Sequence, residues 1–184
     1  ELPEIRHETG QGVGELLGTF EMSVFFISDP HLGHRNIAKF RSFVDSTEDN
    51  TEQFLDQWER TIHKRAVVYL LGDVAFDLPS LDLLKGLRGR KILIKGNHDD
   101  MVPTEAQAEV FEEIHGMLKY KGVWLTHCPI HPDEMRKRRG NVHGHVHENT
   151  IPDPRYVNAC VDAVFPETGS WFLPLDVVKQ RLNF

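Results

Sequence analysis

Val24-Phe25-Phe26-Ile27 runs directly into Ser28-Asp29-Pro30-His31-Leu32-Gly33-His34. The first four residues form a short apolar run of β-branched and aromatic side chains, the pattern of a strand buried on both faces. Pro30 stops that strand and Gly33 permits a tight loop after it. A carboxylate and an imidazole then stand two residues apart at the carboxyl end. The arrangement recurs down the chain. Val67-Val68-Tyr69-Leu70-Leu71 ends in Gly72-Asp73, Ile92-Leu93-Ile94 in Gly96-Asn97-His98-Asp99, and Val123-Trp124-Leu125 in Thr126-His127. Residues 141–147 read as another strand and its exit through Gly144-His145-Val146-His147.

Helical patterns lie between these runs. A short helix is expected over 36–43. A longer one is expected from Asn50, with Gln53 at the reciprocal capping position and Phe54, Leu55, Trp58 and Ile62 on one stripe. Trp58 reads as core. Leu81, Leu83, Leu84 and Leu87 suggest a short helix from Pro79-Ser80 to Gly89, and Thr104 with Gln107 another capping box, opening a helix that buries Ala106, Val110, Phe111 and Ile114. Residues 133–139 form a loop or short helix, 156–161 alternate like a strand, and Leu175, Val178 and Leu182 suggest a closing helix or edge. Strands alternating with helices specify an α/β layered domain. Ligands in such sheets bind beyond the carboxyl ends of the strands, where every candidate polar group lies.

The bulk composition excludes several classes. The chain has 184 residues and a net charge of −7, without the basic footprint of a general duplex-nucleic-acid binder. Cys128 and Cys160 form no CxxC pair, so neither a zinc finger nor a redox motif is present, and a reducing, cytoplasmic compartment (a bacterium or a phage-infected host) suits them. No apolar run approaches the roughly 20 residues of a membrane span. Residues 1–21 carry no sustained period and read as a leader or arm, artificial or native, before a natural start at Met22; residues 22–184 read as one domain.

Asp29, His31, Asp73, Asn97, His127, His145 and His147 offer carboxylate, imidazole and carbonyl donors that suit Mn²⁺, Fe or Zn²⁺ without a thiolate. Taken singly, each has a plainer explanation as a turn or cap residue. Their joint placement at successive strand ends points instead to one two-metal site.

These five blocks, Asp29-x-His31, Gly72-Asp73, Gly96-Asn97-His98-Asp99, His127 and Gly144-His145-x-His147, resemble the calcineurin-like metallophosphoesterases, particularly small stand-alone bacterial and bacteriophage members. The resemblance implies a four-layer α/β/β/α sandwich with two mixed sheets. It implies two divalent ions, manganese foremost with Fe, Zn²⁺ or Ni²⁺ as alternatives. Asp29, His31 and His147 would hold one ion, Asn97, His127 and His145 the other, and Asp73 would bridge them. The implied activity is hydrolysis of phosphoester bonds by a metal-activated hydroxide. His98 would stabilise the transition state or protonate the leaving group.

Two departures stand out. The second block continues Gly72-Asp73-Val74-Ala75-Phe76-Asp77, so Phe76 occupies the place of the acidic residue that orients the catalytic His in many members, with Asp77 or Asp99 as substitutes. The phosphate-binding Arg of protein phosphatases is also missing, and His34 and Arg35 are candidates to contact substrate phosphate in its stead. A small nucleotide-type phosphodiester, cyclic nucleotides included, or a phosphomonoester is the leading substrate. The basic run Arg136-Lys137-Arg138-Arg139 keeps open a nuclease acting on ends or single strands, a reading that the acidic balance disfavours. A non-catalytic metal-site scaffold for a partner protein is the third reading. His143 is expected to be structural.

Overall fold

In a computed structural model, residues 22–184 are described. The expectation for residues 1–21 lies outside them. Two mixed sheets pack face to face. The first takes the order β4-β3-β2-β1-β9 and the second β5-β6-β7-β8. In the first, β1 (Val24–Ile27), β2 (Val67–Leu70), β3 (Arg90–Ile94) and β4 (Glu113–His115) run parallel. In the second, β5 (Met117–Tyr120) is antiparallel to β6 (Val123–Thr126), and β7 (Gly140–His143) and β8 (Tyr156–Asn158) continue parallel. The two-residue β9 (Leu173–Pro174) pairs antiparallel with β1.

Strand alternation divides the core. Phe26, Tyr69, Leu71, Ile92 and Ile94 pack with Val123, Leu125, Val142 and Val157 of the second sheet. Their neighbours Ile27, Val68, Leu70 and Leu93 pack with Phe54 and Trp58 of α1 (Thr47–Thr61) and Leu81 of α2 (Leu78–Asp82). Each fully buried side chain of this kind contributes about 1.5–3 kcal/mol. Trp58 is core, as expected, and its indole N–H donates to Arg88 O at 2.9 Å. The outer layer on the second sheet is thin. It consists of α4 (Pro132–Met135) and its flanks, tied down by Trp124 Nε1–H to Glu134 O and by Tyr156 O–H to Ile130 O. No helix of the described residues is long and apolar enough to cross a membrane.

Several local expectations are corrected. Ser46, not Asn50, caps α1: its hydroxyl accepts from Asp49 N–H at 3.0 Å, and Asn50 is buried inside the first turn. The expected helix over 36–43 shrinks to one 3-10 turn, Ile37–Lys39. The helix from Thr104 is only α3 (Thr104–Ala108), with Pro103 at the cap position, and the expected capping box is not formed: the Gln107 amide donates to Val102 O and Asp99 O instead. Ile114 lies on β4, a three-residue strand whose Glu113 and His115 flank it with polar side chains and leave no periodicity to read. Val123-Trp124-Leu125 belongs to the second sheet, since β4 and β5 intervene. Residues 156–161 split between β8 and α5 (Val161–Thr168), which Pro166 had disguised. The closing helix is α6 (Leu175–Leu182).

Candidate metal centre

All five blocks meet at the carboxyl edges of the two sheets. Asp29 and His31 leave β1, Asp73 follows β2, Asn97 and His98 follow β3, His127 follows β6, and His145 and His147 follow β7. The exits of β1 and β2 are zipped together: Asp29 N–H donates to Gly72 O, His31 N–H to Asp73 O and Leu32 N–H to Val74 O. The backbone is unusual here. Eight described non-glycine residues have positive φ, and five of them are candidate donors: Asp29 (58°), His31 (52°), Asp73 (54°), His145 (71°) and His147 (51°). Asp and His tolerate this region better than most residues, yet each such position costs on the order of 1 kcal/mol or more. Such strain persists where the surrounding structure overrides local preference, commonly at functional sites.

The side chains converge. His127 Nδ1–H donates to Leu71 O at 2.7 Å, which leaves a lone pair on Nε2. Around that nitrogen lie Asn97 Oδ1 at 3.0 Å, His145 Nδ1 at 3.2 Å and Asp73 Oδ2 at 3.4 Å. His31 Nε2 lies 3.4 Å from Asp29 Oδ1 and 3.7 Å from Asp73 Oδ2. Asp29 Oδ1 and His31 Nε2 are both buried without a hydrogen-bond partner. Lone pairs facing one another in a buried space repel unless a cation sits among them. The donor set therefore fits divalent cations. Asp29, His31 and His147 form one group that can hold an ion, and Asp29, Asp73 and His127 a second. His127, Cys128 and His145 form a third, and the exposed Cys128 was not anticipated as a neighbour of this site.

A second layer holds these donors. Asp29 Oδ2 accepts from His145 N–H at 2.8 Å and from the Cys160 thiol at 3.0 Å, and Ser28 Oγ lies 2.6 Å away. Asp99 accepts from the backbone N–H groups of Asp73, Val74 and Gly96, so it braces the second and third blocks against each other. His147 Nδ1 is 2.9 Å from Asp162 Oδ2. Asp162 in turn receives Arg41 Nε and Nη2 at 2.8 and 3.0 Å. Arg41 is 1% exposed and also donates to Asn50 Oδ1, Pro30 O and Asp29 O. Such partners orient ligating histidines and fix their tautomers. Arg41, Asn50, Cys160 and Asp162 carried no motif signal. Only Asp99 had one, by its place in the third block.

Electrostatics follow this geometry. Burial alone would raise the Asp29 carboxyl, but the neighbouring His31 and His127 imidazoles and hydrogen bonds from Ser28 and Cys160 hold it far below the usual range. Burial is likewise outweighed at Asp162, held at about 2 by His147 and Arg41. Asp73 is lowered too, by His127 and the His98 N–H against its burial. Burial and Asp29 push the Cys160 thiol well up, so it stays protonated as a donor. The carboxylates thus remain ionised and ready to bind cations.

Close packing sets the distances. A Cβ on Gly144 would lie 2.6 Å from Asp29 Oδ2 and far inside contact distance of Ser28 Oγ. Gly144→Ala is therefore expected to destabilise the fold by about 1–3 kcal/mol, the usual overpacking cost. Urea unfolding measures it, and an unchanged midpoint would mean that β7 does not abut Asp29.

The remaining candidates separate. His98 is exposed at the margin of the cluster; its backbone N–H donates to Asp73 Oδ1 at 2.8 Å and its ring packs on Phe76 at 5.2 Å. Neither expected carboxylate substitute reaches that ring: Asp77 caps α2 through Ser80 N–H, and Asp99 is committed to backbone. Phe76 instead packs against His31, His34 and His98. His34 lines a cavity with His31 and His147, and its Nδ1 accepts from Asn36 N–H. Arg35 is exposed and lines depressions with Thr47 and Glu48 rather than that cavity. Arg136, Lys137 and Arg138 border a separate hollow with Trp124 and Glu134. His143 is buried, with its ring near Tyr156.

The two sheets and their helices have the calcineurin-like metallophosphoesterase fold. No family model matches the chain. It is 26% identical to the Gene 66 protein of Mycobacterium phage D29, in an alignment covering 88% of this chain and 96% of that protein. Its structure resembles that of a protein of unknown function from Aquifex aeolicus, with a TM-score of 0.69, 25% identity and coverage of 87% of this chain and 99% of the other. It also shares its fold with the nuclease MPE of Pseudomonas putida, with a TM-score of 0.50, 19% identity and coverage of 67% of this chain and 61% of the nuclease.

Proposed function

We propose that the chain is a metal-dependent phosphohydrolase acting on a small nucleotide-type phosphodiester, cyclic nucleotides included, or a phosphomonoester. One observation carries the reading: buried carboxylate, imidazole and amide donors from successive strand ends converge within a few ångströms of one another, an arrangement that bound cations would stabilise. Asp29, His31 and His147 would hold one divalent ion, and Asn97, His127 and His145 the other, with Asp73 between them. Manganese suits the set, and Fe, Zn²⁺ and Ni²⁺ fit the same donors. When bound, such ions polarise phosphoryl oxygens and make water a nucleophile at neutral pH.

The chain's own groups supply the rest. His98 would donate a proton to the leaving oxygen. It is oriented by packing on Phe76 and by the backbone bond to Asp73, with no carboxylate of the described residues on its ring. At His34 the bond accepted by Nδ1 leaves Nε2 as an N–H donor for a phosphate oxygen. A nuclease has less support: the basic run borders a hollow containing no residue of the cluster, and the likeness to a nuclease is one of fold.

The two halves of the last block should separate experimentally. His147→Ala is expected to weaken the ion held with Asp29 and His31, and His145→Ala the ion held with Asn97 and His127. Metal counting on each variant should find about one ion where the wild type holds two, and full occupancy in both would refute the split. The activity itself is tested on metal-stripped protein resupplied with Mn²⁺, Ni²⁺, Zn²⁺ or Mg²⁺ and offered phosphomonoesters, linear diesters and cyclic nucleotides. Turnover that a chelator abolishes and metal restores is expected. No turnover of any ester with any of the ions would sink the reading.

A further inference from the structure

We infer that the cavity beside the cluster is a nucleobase subsite with Phe40 as its stacking face. This rests on the phosphohydrolase reading and names the part of the substrate that the metal centre does not select. The cavity, about 340 Å³, reaches His31 and His147 of the cluster and is bounded further out by Ile37, Phe40, Glu148 and Asn149. That volume falls within the roughly 300–1,000 Å³ of small-ligand sites.

Phe40 is 72% exposed, the most exposed large hydrophobic side chain among the described residues. Core packing does not account for it. Its ring meets the His34 ring at 6.0 Å and 73°, a T-shaped contact that occupies at most one face. His34 in turn lies 5.8 Å from His31. A group stacked on Phe40 is thus one ring removed from the cluster, and a phosphoester attached to it can reach the candidate ligands.

Polar groups at the cavity point to the same occupant. Asn149 is pinned, its amide N–H donating to Val146 O and its backbone carbonyl accepting from Asn158. Its side-chain oxygen is left to accept. Glu148 is exposed and forms no ion pair among the described residues. Two acceptors beside an open aromatic face match a base carrying an exocyclic amino group, as adenine and cytosine do. Every base offers a π-face, so stacking admits the class while the acceptors favour its amino-bearing members. A sugar phosphate has no aromatic ring to stack on Phe40.

The test pairs each ester with a counterpart lacking a base: adenosine 5′-phosphate with ribose 5-phosphate, and adenosine 2′,3′-cyclic phosphate with glycerol 1,2-cyclic phosphate. For the ester that is turned over, kcat/KM should favour the adenosine member by about ten-fold or more, the worth of one base–aromatic stack. Phe40→Ala should collapse that ratio, and Phe40→Trp should retain it. A wild type without preference, or a preference that Phe40→Ala leaves intact, would overturn the subsite while turnover of the base-free ester keeps the phosphohydrolase reading. Failure to turn over any of the four esters, or a linear adenosine diester tested beside them, would remove that reading and the subsite with it.

Discussion

Asp73→Asn is expected to lower kcat/KM for phosphoester hydrolysis by on the order of 10³-fold or more while leaving the chain folded. The substitution is nearly isosteric, and its amide oxygen can still accept the His98 N–H that Asp73 Oδ1 receives at 2.8 Å. What disappears is the negative charge at Oδ2, placed 3.4 Å from His127 Nε2 and 3.7 Å from His31 Nε2. Asp73 Oδ2 lies near one histidine of each proposed ion site, so its loss is expected to act on both ions. Bound metals supply several kcal/mol of transition-state stabilisation, and about 1.4 kcal/mol is a factor of ten. Steady-state kinetics, with circular dichroism as the folding control, measures the effect. Activity within ten-fold of wild type would show that Asp73 does not serve the centre.

Arg41→Ala is expected to destabilise the protein by about 3–5 kcal/mol, the cost of breaking a buried ion pair from one side. The guanidinium holds Asp162, Asn50 and the carbonyls of Asp29 and Pro30 at once. Truncation strands a buried carboxylate and leaves those acceptors unmatched, just where the strained turn of Asp29 and His31 is fastened. Arg41→Lys should not restore stability, because an ammonium lacks the planar fork that serves several acceptors together. Urea unfolding of the metal-free protein gives the magnitude apart from any effect of ion binding. A loss under 1 kcal/mol would contradict the role assigned to this residue.

The strands were legible because β1, β2 and β3 are short apolar runs, each followed by a break, and burial on both faces requires that pattern. The candidate ligands were legible for a related reason: a carboxylate or imidazole straight after such a run has few plain uses. Arg41 and Asp162 were not, because their meaning lies in a contact across 121 residues of chain that no local spacing encodes. Asn50 looked like a helix cap for the same want of context. Its amide binds Pro30 O, whereas Ser46 had the open position and extended backbone of a cap. β5 escaped notice because one of its faces is exposed, and charged Lys119 there interrupts the apolar signal. Phe76 in place of an acidic residue was visible in the sequence. The structure adds that it packs three imidazoles together and that neither Asp77 nor Asp99 takes over the missing carboxylate's contact.

A crystal structure of the protein grown with Mn²⁺, with anomalous differences measured at the manganese edge, tests the two-ion centre most directly. Two peaks are expected, one among Asp29, His31 and His147 and one among Asn97, His127 and His145, with Asp73 touching both. No peak at these donors, or a single ion bound without Asp73, would contradict it.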